Sequence, residues 1–171
     1  MRGYIQVYTG DGKGKTTAAL GLALRAAGAG LRVYICQFMK KGDYSEIKAL
    51  ETYHDLITVE QFGTGKFIEG KPSPEDIKAA QEAVRRIKEI FSNGEHDVLI
   101  MDEANVALHL GLLSMDDIKD IIQSKPEGME IVLTGRNAPQ ELIEDADLVT
   151  EMKLIKHYFK DGVHARTGIE K

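Results

Sequence analysis

Thr9-Gly10-Asp11-Gly12-Lys13-Gly14-Lys15-Thr16-Thr17 is the stretch of this sequence best suited to chemistry. Its spaced glycines let the backbone turn so that successive N–H groups of Gly10, Asp11, Gly12, Lys13 and Gly14 point inward as an anion-binding nest. An Ala- and Leu-rich helical pattern begins at Lys15, aiming the positive end of its dipole at the same point. Lys15 adds a mobile charge for the outer phosphates of a nucleotide, and Thr16 a hydroxyl for magnesium. The usual spacing, G-x-x-x-x-G-K-[ST], has Thr9 in its first position here, with Gly10 one place late. A strand pattern before the loop and a helix after it supply the context that spacing needs. A glycine turn carrying solvated lysines is the bland alternative, and that context disfavours it.

The second half of such a site is Val98-Leu99-Ile100-Met101-Asp102-Glu103, an apolar run ending in two acids. A parallel strand of this kind would deliver Asp102 beside the loop, where it can bind magnesium directly or through water. Glu103 is the second acid, the position from which hydrolytic ATPases polarise water. Acids that end a strand only for solubility would be the better reading of this run alone. Paired with Gly10–Thr17, the two segments point to bound ATP and Mg2+. Gln37, Arg136 and Lys156 are the remaining polar candidates at strand ends, and their spacing assigns none of them a role.

These residues need elements to position them, and short β-rich runs alternate with longer helical patterns along the chain. That alternation is the signature of an α/β fold, a mostly parallel sheet with helices on both faces. Strands are expected at Tyr4–Tyr8, Arg32–Gln37, Ile57–Val59, Asp97–Asp102, Glu130–Thr134 and Leu148–Met152. Helices are expected from Lys15 to about Ala29, near Glu46–Thr52, after Ser73-Pro74, after Ser114, and over Pro139–Asp145. The apolar face of the helix after Ser73 reads as Ile77, Ala80, Val84, Ile87 and Phe91. Gln61–Lys71 carries three glycines and no periodicity, so it reads as a long loop of the kind that is often functional.

Bulk properties narrow the classes. With 171 residues, 43% hydrophobic and 29% charged, the chain reads as one domain spanning 1–171. A net charge of −5 argues against a nucleic-acid binder. The single cysteine, Cys36, excludes an intrachain disulfide and reads as a core residue. No apolar run approaches the ~20 residues of a membrane span, and Met1-Arg2-Gly3-Tyr4 does not open a signal peptide, so a cytoplasmic protein with no membrane partner is expected.

Taken together, the segments resemble the ATP:corrinoid adenosyltransferases, a P-loop family with a RecA-like NTPase fold. The resemblance runs from Gly3 to Ile169. The phosphate loop is similar to the family's TGNGKGKTT, and Gln37-Phe38-Met39-Lys40-Lys41-Gly42 to its QFIKG. Leu99–Glu103, Thr134-Gly135-Arg136-Asn137, Ile155–Val163 and the closing Ala165-Arg166-Thr167-Gly168-Ile169-Glu170, similar to A-x-x-G-I-[DE], follow in order.

The resemblance implies transfer rather than hydrolysis. A reduced corrinoid, its cobalt as Co(I), attacks the 5′ carbon of ATP and expels triphosphate, so the protein need supply no nucleophile of its own. It implies that ATP lies in the loop in reversed sense, with Lys13, Lys15, Thr16 and Thr17 on triphosphate and Arg136 and Glu103 near the nucleotide. Lys15, Thr16 and Glu103 would then be catalytic, and Thr16 and Asp102 would hold Mg2+. A family segment like TGFTW crowds the lower face of the corrin, and the corresponding stretch here is Gly63-Thr64-Gly65-Lys66-Phe67-Ile68-Glu69-Gly70. Either Phe62, Phe67 and Ile68 crowd the ring, or the corrinoid is held differently. A ligand on that face would oppose the chemistry, so His109, His157 and His164 read as ordinary polar residues. The resemblance also implies a homodimer and a flavoprotein reductant. Two other readings stay open from the residues themselves: a RecA-like ATPase that hydrolyses the γ-phosphate, and a nucleotide-binding module without chemistry.

Overall fold

Near-continuous apolar runs at the middle of the chain demand strands covered on both faces, and the computed structural model, which describes residues 2–66, 68 and 70–170, places them there. Six strands form one all-parallel sheet: β1 (Ile5–Thr9), β2 (Val33–Phe38), β3 (Ile57–Phe62), β4 (Val98–Asp102), β5 (Glu130–Thr134) and β6 (Leu148–Glu151). Their spatial order is β3-β2-β4-β5-β1-β6, every pairing parallel. Central β2 and β4 are buried along their whole lengths, whereas edge strand β6 is exposed throughout.

The helices are α1 (Lys15–Gly28), α2 (Ser45–Leu50), α3 (Pro74–Asn93), α4 (Ala104–His109), α5 (Met115–Ser124) and α6 (Gln140–Asp145). Alternate residues of the inner strands feed opposite cores. Leu99 and Met101 of β4 join Ala83, Val84 and Ile87 of α3 and Ile118 and Ile121 of α5 on one face. Val98 and Ile100 join Ala19, Ala23, Ala26 and Ala27 of α1 on the other. Small side chains at those four positions let α1 lie close against the sheet, which brings its N-terminus up to the strand ends.

Ser73 and Ser114 each cap a helix as their sequences imply, in reciprocal pairs with the carboxylates of Asp76 and Asp117. Four details differ from the sequence reading. The sheet is wholly rather than mostly parallel. The third strand runs on through Phe62, so the loop begins at Gly63. Helix α4 has no forecast. Ile77 is 41% exposed, off the buried face of α3. Among the described residues, no helix is long and apolar enough to cross a membrane.

Candidate active site

Strand order decides what the phosphate loop meets. Between β1, which ends in the loop, and β4, which ends in Asp102, lies β5, so its last residue, Thr134, stands between them. Asp102 is 1% exposed, and both carboxylate oxygens are fully engaged. Its Oδ1 accepts the hydroxyls of Thr16 at 2.8 Å and Thr134 at 2.7 Å. Its Oδ2 accepts the Gln37 amide at 3.1 Å and the Lys40 ammonium at 2.7 Å. Burial pushes the Asp102 carboxyl up, but the charge of Lys40 and the bonds from Lys40, Thr134 and Thr16 outweigh it and leave the group below the usual carboxylate range. Lys40 is itself held above the ordinary lysine value, the pull of Asp102 overcoming its own burial.

The loop is tightly built. Gly14 takes φ 118 at the mouth of α1, a conformation that favours glycine. Gly10 and Gly12 pack so closely against the chain after β6 that a Cβ at either would lie 2.5 or 2.6 Å from the carbonyl oxygen of Met152. Lys15 is buried and curls back, donating to the carbonyls of Gly10 at 2.8 Å and Gly12 at 2.7 Å. Burial, with Arg136 adding repulsion, holds its ammonium below the ordinary lysine value.

Glu103 follows Asp102 in the left-handed region, φ 63, and its N–H donates to the Thr134 hydroxyl at 3.0 Å. Burial and the neighbouring Asp102 push its carboxyl up. Asn105, fully buried in α4, donates to the carbonyls of Gly135 and Tyr8, tying the tips of β5 and β1 together.

The structure therefore gathers Gly10, Gly12, Gly14, Lys15, Thr16, Asp102 and Glu103 at one edge of the sheet. Asp11, Thr17 and Arg136 lie at the same edge, exposed. Lys13 points elsewhere: its ammonium meets Glu170 at 3.0 Å and the carbonyl of Ile169 at 2.9 Å. Phe62 and Ile68 rest against the core on the α3 side, and Phe67 lies outside the described residues. Lys156 is exposed. Sequence reasoning missed Thr134 and Lys40 as partners of Asp102 and left Gln37 without a role. A polar residue ending a buried strand, as Thr134 does, was the available signal.

A family model described as "ATP:corrinoid adenosyltransferase BtuR/CobO/CobP" matches residues 1–170. The chain belongs to that family. It is 35% identical over 170 residues to a "Corrinoid adenosyltransferase" of Pseudomonas aeruginosa, covering 99% of this chain and 84% of the relative. It is 36% identical to a protein of the same name from Sinorhizobium sp, over 99% of this chain and 80% of the relative. A "Corrinoid adenosyltransferase CobA" of Salmonella typhimurium is 32% identical, over 99% of this chain and 86% of its own. Membership assigns the reaction class, a transferase.

Proposed function

We propose that this protein transfers the 5′-deoxyadenosyl group of ATP to the Co(I) of a reduced corrinoid and releases triphosphate. Cobalt's electron pair forms the new bond to the 5′ carbon, and the carbon–oxygen bond breaks with its electrons leaving on triphosphate. The observation that carries the site assignment is the buried Asp102 carboxylate, reached on one side by the loop hydroxyl of Thr16 and on the other by Lys40. Carboxylate and hydroxyl oxygens are the hard donors that Mg2+ takes, so Thr16 and Asp102 fit that ion. When bound, Mg2+ would offset the charge that develops on the departing polyphosphate.

The chain's own groups do the rest. The Gly12 N–H donates to the Met152 carbonyl at 2.6 Å, against the sequence expectation, so the other N–H groups of Gly10–Thr17 and the α1 terminus would hold the phosphate oxygens. Lys15, swung off the carbonyls of Gly10 and Gly12, would neutralise the leaving group, with Lys13 and Thr17 in support. Arg136 and Glu103 would lie along the nucleotide. Phe62, Phe67 and Ile68, around the loop that begins at Gly63, would border the corrinoid. We propose further that one domain, as a cytoplasmic homodimer served by a flavoprotein reductant, carries out this work; the family resemblance supports the homodimer and the reductant.

The test is incubation with MgATP and chemically reduced corrinoid, followed by the visible spectrum and by identification of the released phosphates. A light-sensitive cobalt–carbon product with triphosphate is expected. ADP plus orthophosphate would replace this reading with the hydrolase, and tight nucleotide binding without product would replace it with the binding module.

A further inference from the structure

Among the described residues, Lys40 is the one full positive charge bonded to the Asp102 carboxylate, 2.7 Å from Oδ2, and its side chain is 18% exposed. Its place is set by unusual backbone. Strand β2 ends at Phe38, and Met39 takes φ 59, a left-handed conformation that a non-glycine residue holds only where its surroundings enforce it. That turn sends Lys40 back over the strand end to Asp102 on neighbouring β4. The Met39 N–H donates to the carbonyl of Phe62 at 2.9 Å. Gly63 lies so close that a Cβ there would sit 2.5 Å from the Met39 carbonyl carbon and 2.7 Å from the Lys40 nitrogen. The Gly42 N–H donates to Gln61 at 3.0 Å, and Gln61 donates to Gln37 at 3.0 Å, which itself reaches Asp102. Strand end, loop and carboxylate form one hydrogen-bonded unit that meets Lys40 at Asp102.

We infer that Lys40 is an exchangeable counter-ion: it holds Asp102 charged and in place, and is displaced onto the polyphosphate when a divalent cation takes the carboxylate. The inference rests on the proposed nucleotide site and deepens it. A cation bound between Thr16 and Asp102 would put two further positive charges beside the Lys40 ammonium, and like charges at that distance repel. Lys40 has a long, flexible stem and a fixed backbone, so its head can leave Oδ2 without disturbing the turn. The phosphate oxygens that arrive with the cation offer that head a new partner of opposite charge. One consequence follows. Cation alone binds poorly, because Lys40 competes with it, whereas cation and nucleotide together bind well.

The test reads binding of Mn2+ to nucleotide-free protein, by electron paramagnetic resonance of the free ion. Lys40→Met should bind Mn2+ roughly tenfold or more tightly than the unaltered protein, because a competing charge is gone. Lys40→Gln, which keeps a hydrogen-bond donor without the charge, should do the same and serves if the methionine variant folds poorly. Lys40→Arg should stay as weak as the unaltered protein. Unchanged or weaker Mn2+ binding in a folded Lys40→Met or Lys40→Gln variant overturns the inference. Asp102→Ala separates the two claims: if it binds Mn2+ as well as Lys40→Met does, the cation site itself is misplaced, and the proposed nucleotide geometry fails with it.

Discussion

The ammonium of Lys13, in the phosphate loop, forms an ion pair with the carboxylate of Glu170, near the far end of the chain, at 3.0 Å. Glu170 also accepts from Arg166 and from the Tyr158 hydroxyl, and these partners, Arg166 first, hold its carboxyl well below the usual range. The tail is thereby fastened to a loop lysine that the proposed reaction needs on triphosphate.

Glu170→Gln should therefore release Lys13 and tighten MgATP binding, by up to about fivefold given the modest strength of an exposed pair. Isothermal titration gives the affinity. Hydrogen exchange should at the same time speed up over Tyr158–Asp161, the 3-10 turn that the tail contacts order. An unchanged affinity with a loosened tail would mean that Lys13 plays no part in holding nucleotide.

Lys15→Ala removes the charge that the loop holds in reserve. Loss of one preorganised group at a developing anion costs roughly 100- to 1,000-fold in turnover. Triphosphate release under saturating MgATP should fall by that much. The fold should survive, because among the described residues the Lys15 ammonium bonds to the carbonyls of Gly10 and Gly12 in its own loop. Retained turnover would remove Lys15 from the mechanism.

Two glycines should respond to alanine in opposite ways. Gly63→Ala places a methyl under 3 Å from the Met39 and Lys40 backbone, where nothing flexible can yield. It should destabilise by about 1–3 kcal/mol, as overpacking does, and lower transfer activity by shifting Lys40. Gly21, inside α1, has nothing within 4 Å of such a methyl. Gly21→Ala should stabilise by up to about 1 kcal/mol through helix propensity alone. Urea midpoints of the two variants check both signs.

What the sequence discloses of this site follows from how local each feature is. The Gly10–Thr17 loop and the Val98–Asp102 run are readable because glycine spacing and an unbroken apolar stretch are local signals. Ser73 and Ser114 announce their helices for the same reason. Helix α4 is only six residues long, and its cap, Glu103, bonds no side chain to it, so it leaves no such mark. Thr134 and Lys40 meet Asp102 only because β5 and β2 flank β4 in the sheet, an order that no window of sequence contains. Phe62 was read as loop because Gln61–Lys71 lacks periodicity, yet the ladder with β2 carries β3 through it.

Glu103 gives a pH signature of its own. Burial and the adjacent Asp102 raise its carboxyl above the ordinary 4.5, so the folded state disfavours its charged form. A group with a raised folded value contributes stability that is present below its unfolded value and lost as the pH rises through the folded one. Glu103→Gln abolishes that titration. Below pH 4.5 the variant and the unaltered protein should be about equally stable, since both carry a neutral side chain. As the pH rises from 4.5 through the raised value, the glutamine variant should become the more stable, and above that value the gap should level off. Asp102 titrates in the opposite sense, its folded value being depressed, but it is present in both proteins and drops out of the difference. Thermal melts of the nucleotide-free pair from pH 4 to 8 test this. A gap that opens at high pH in favour of the unaltered protein would show that Glu103 is stabilised as an anion, and would return it to contention as a base that activates water.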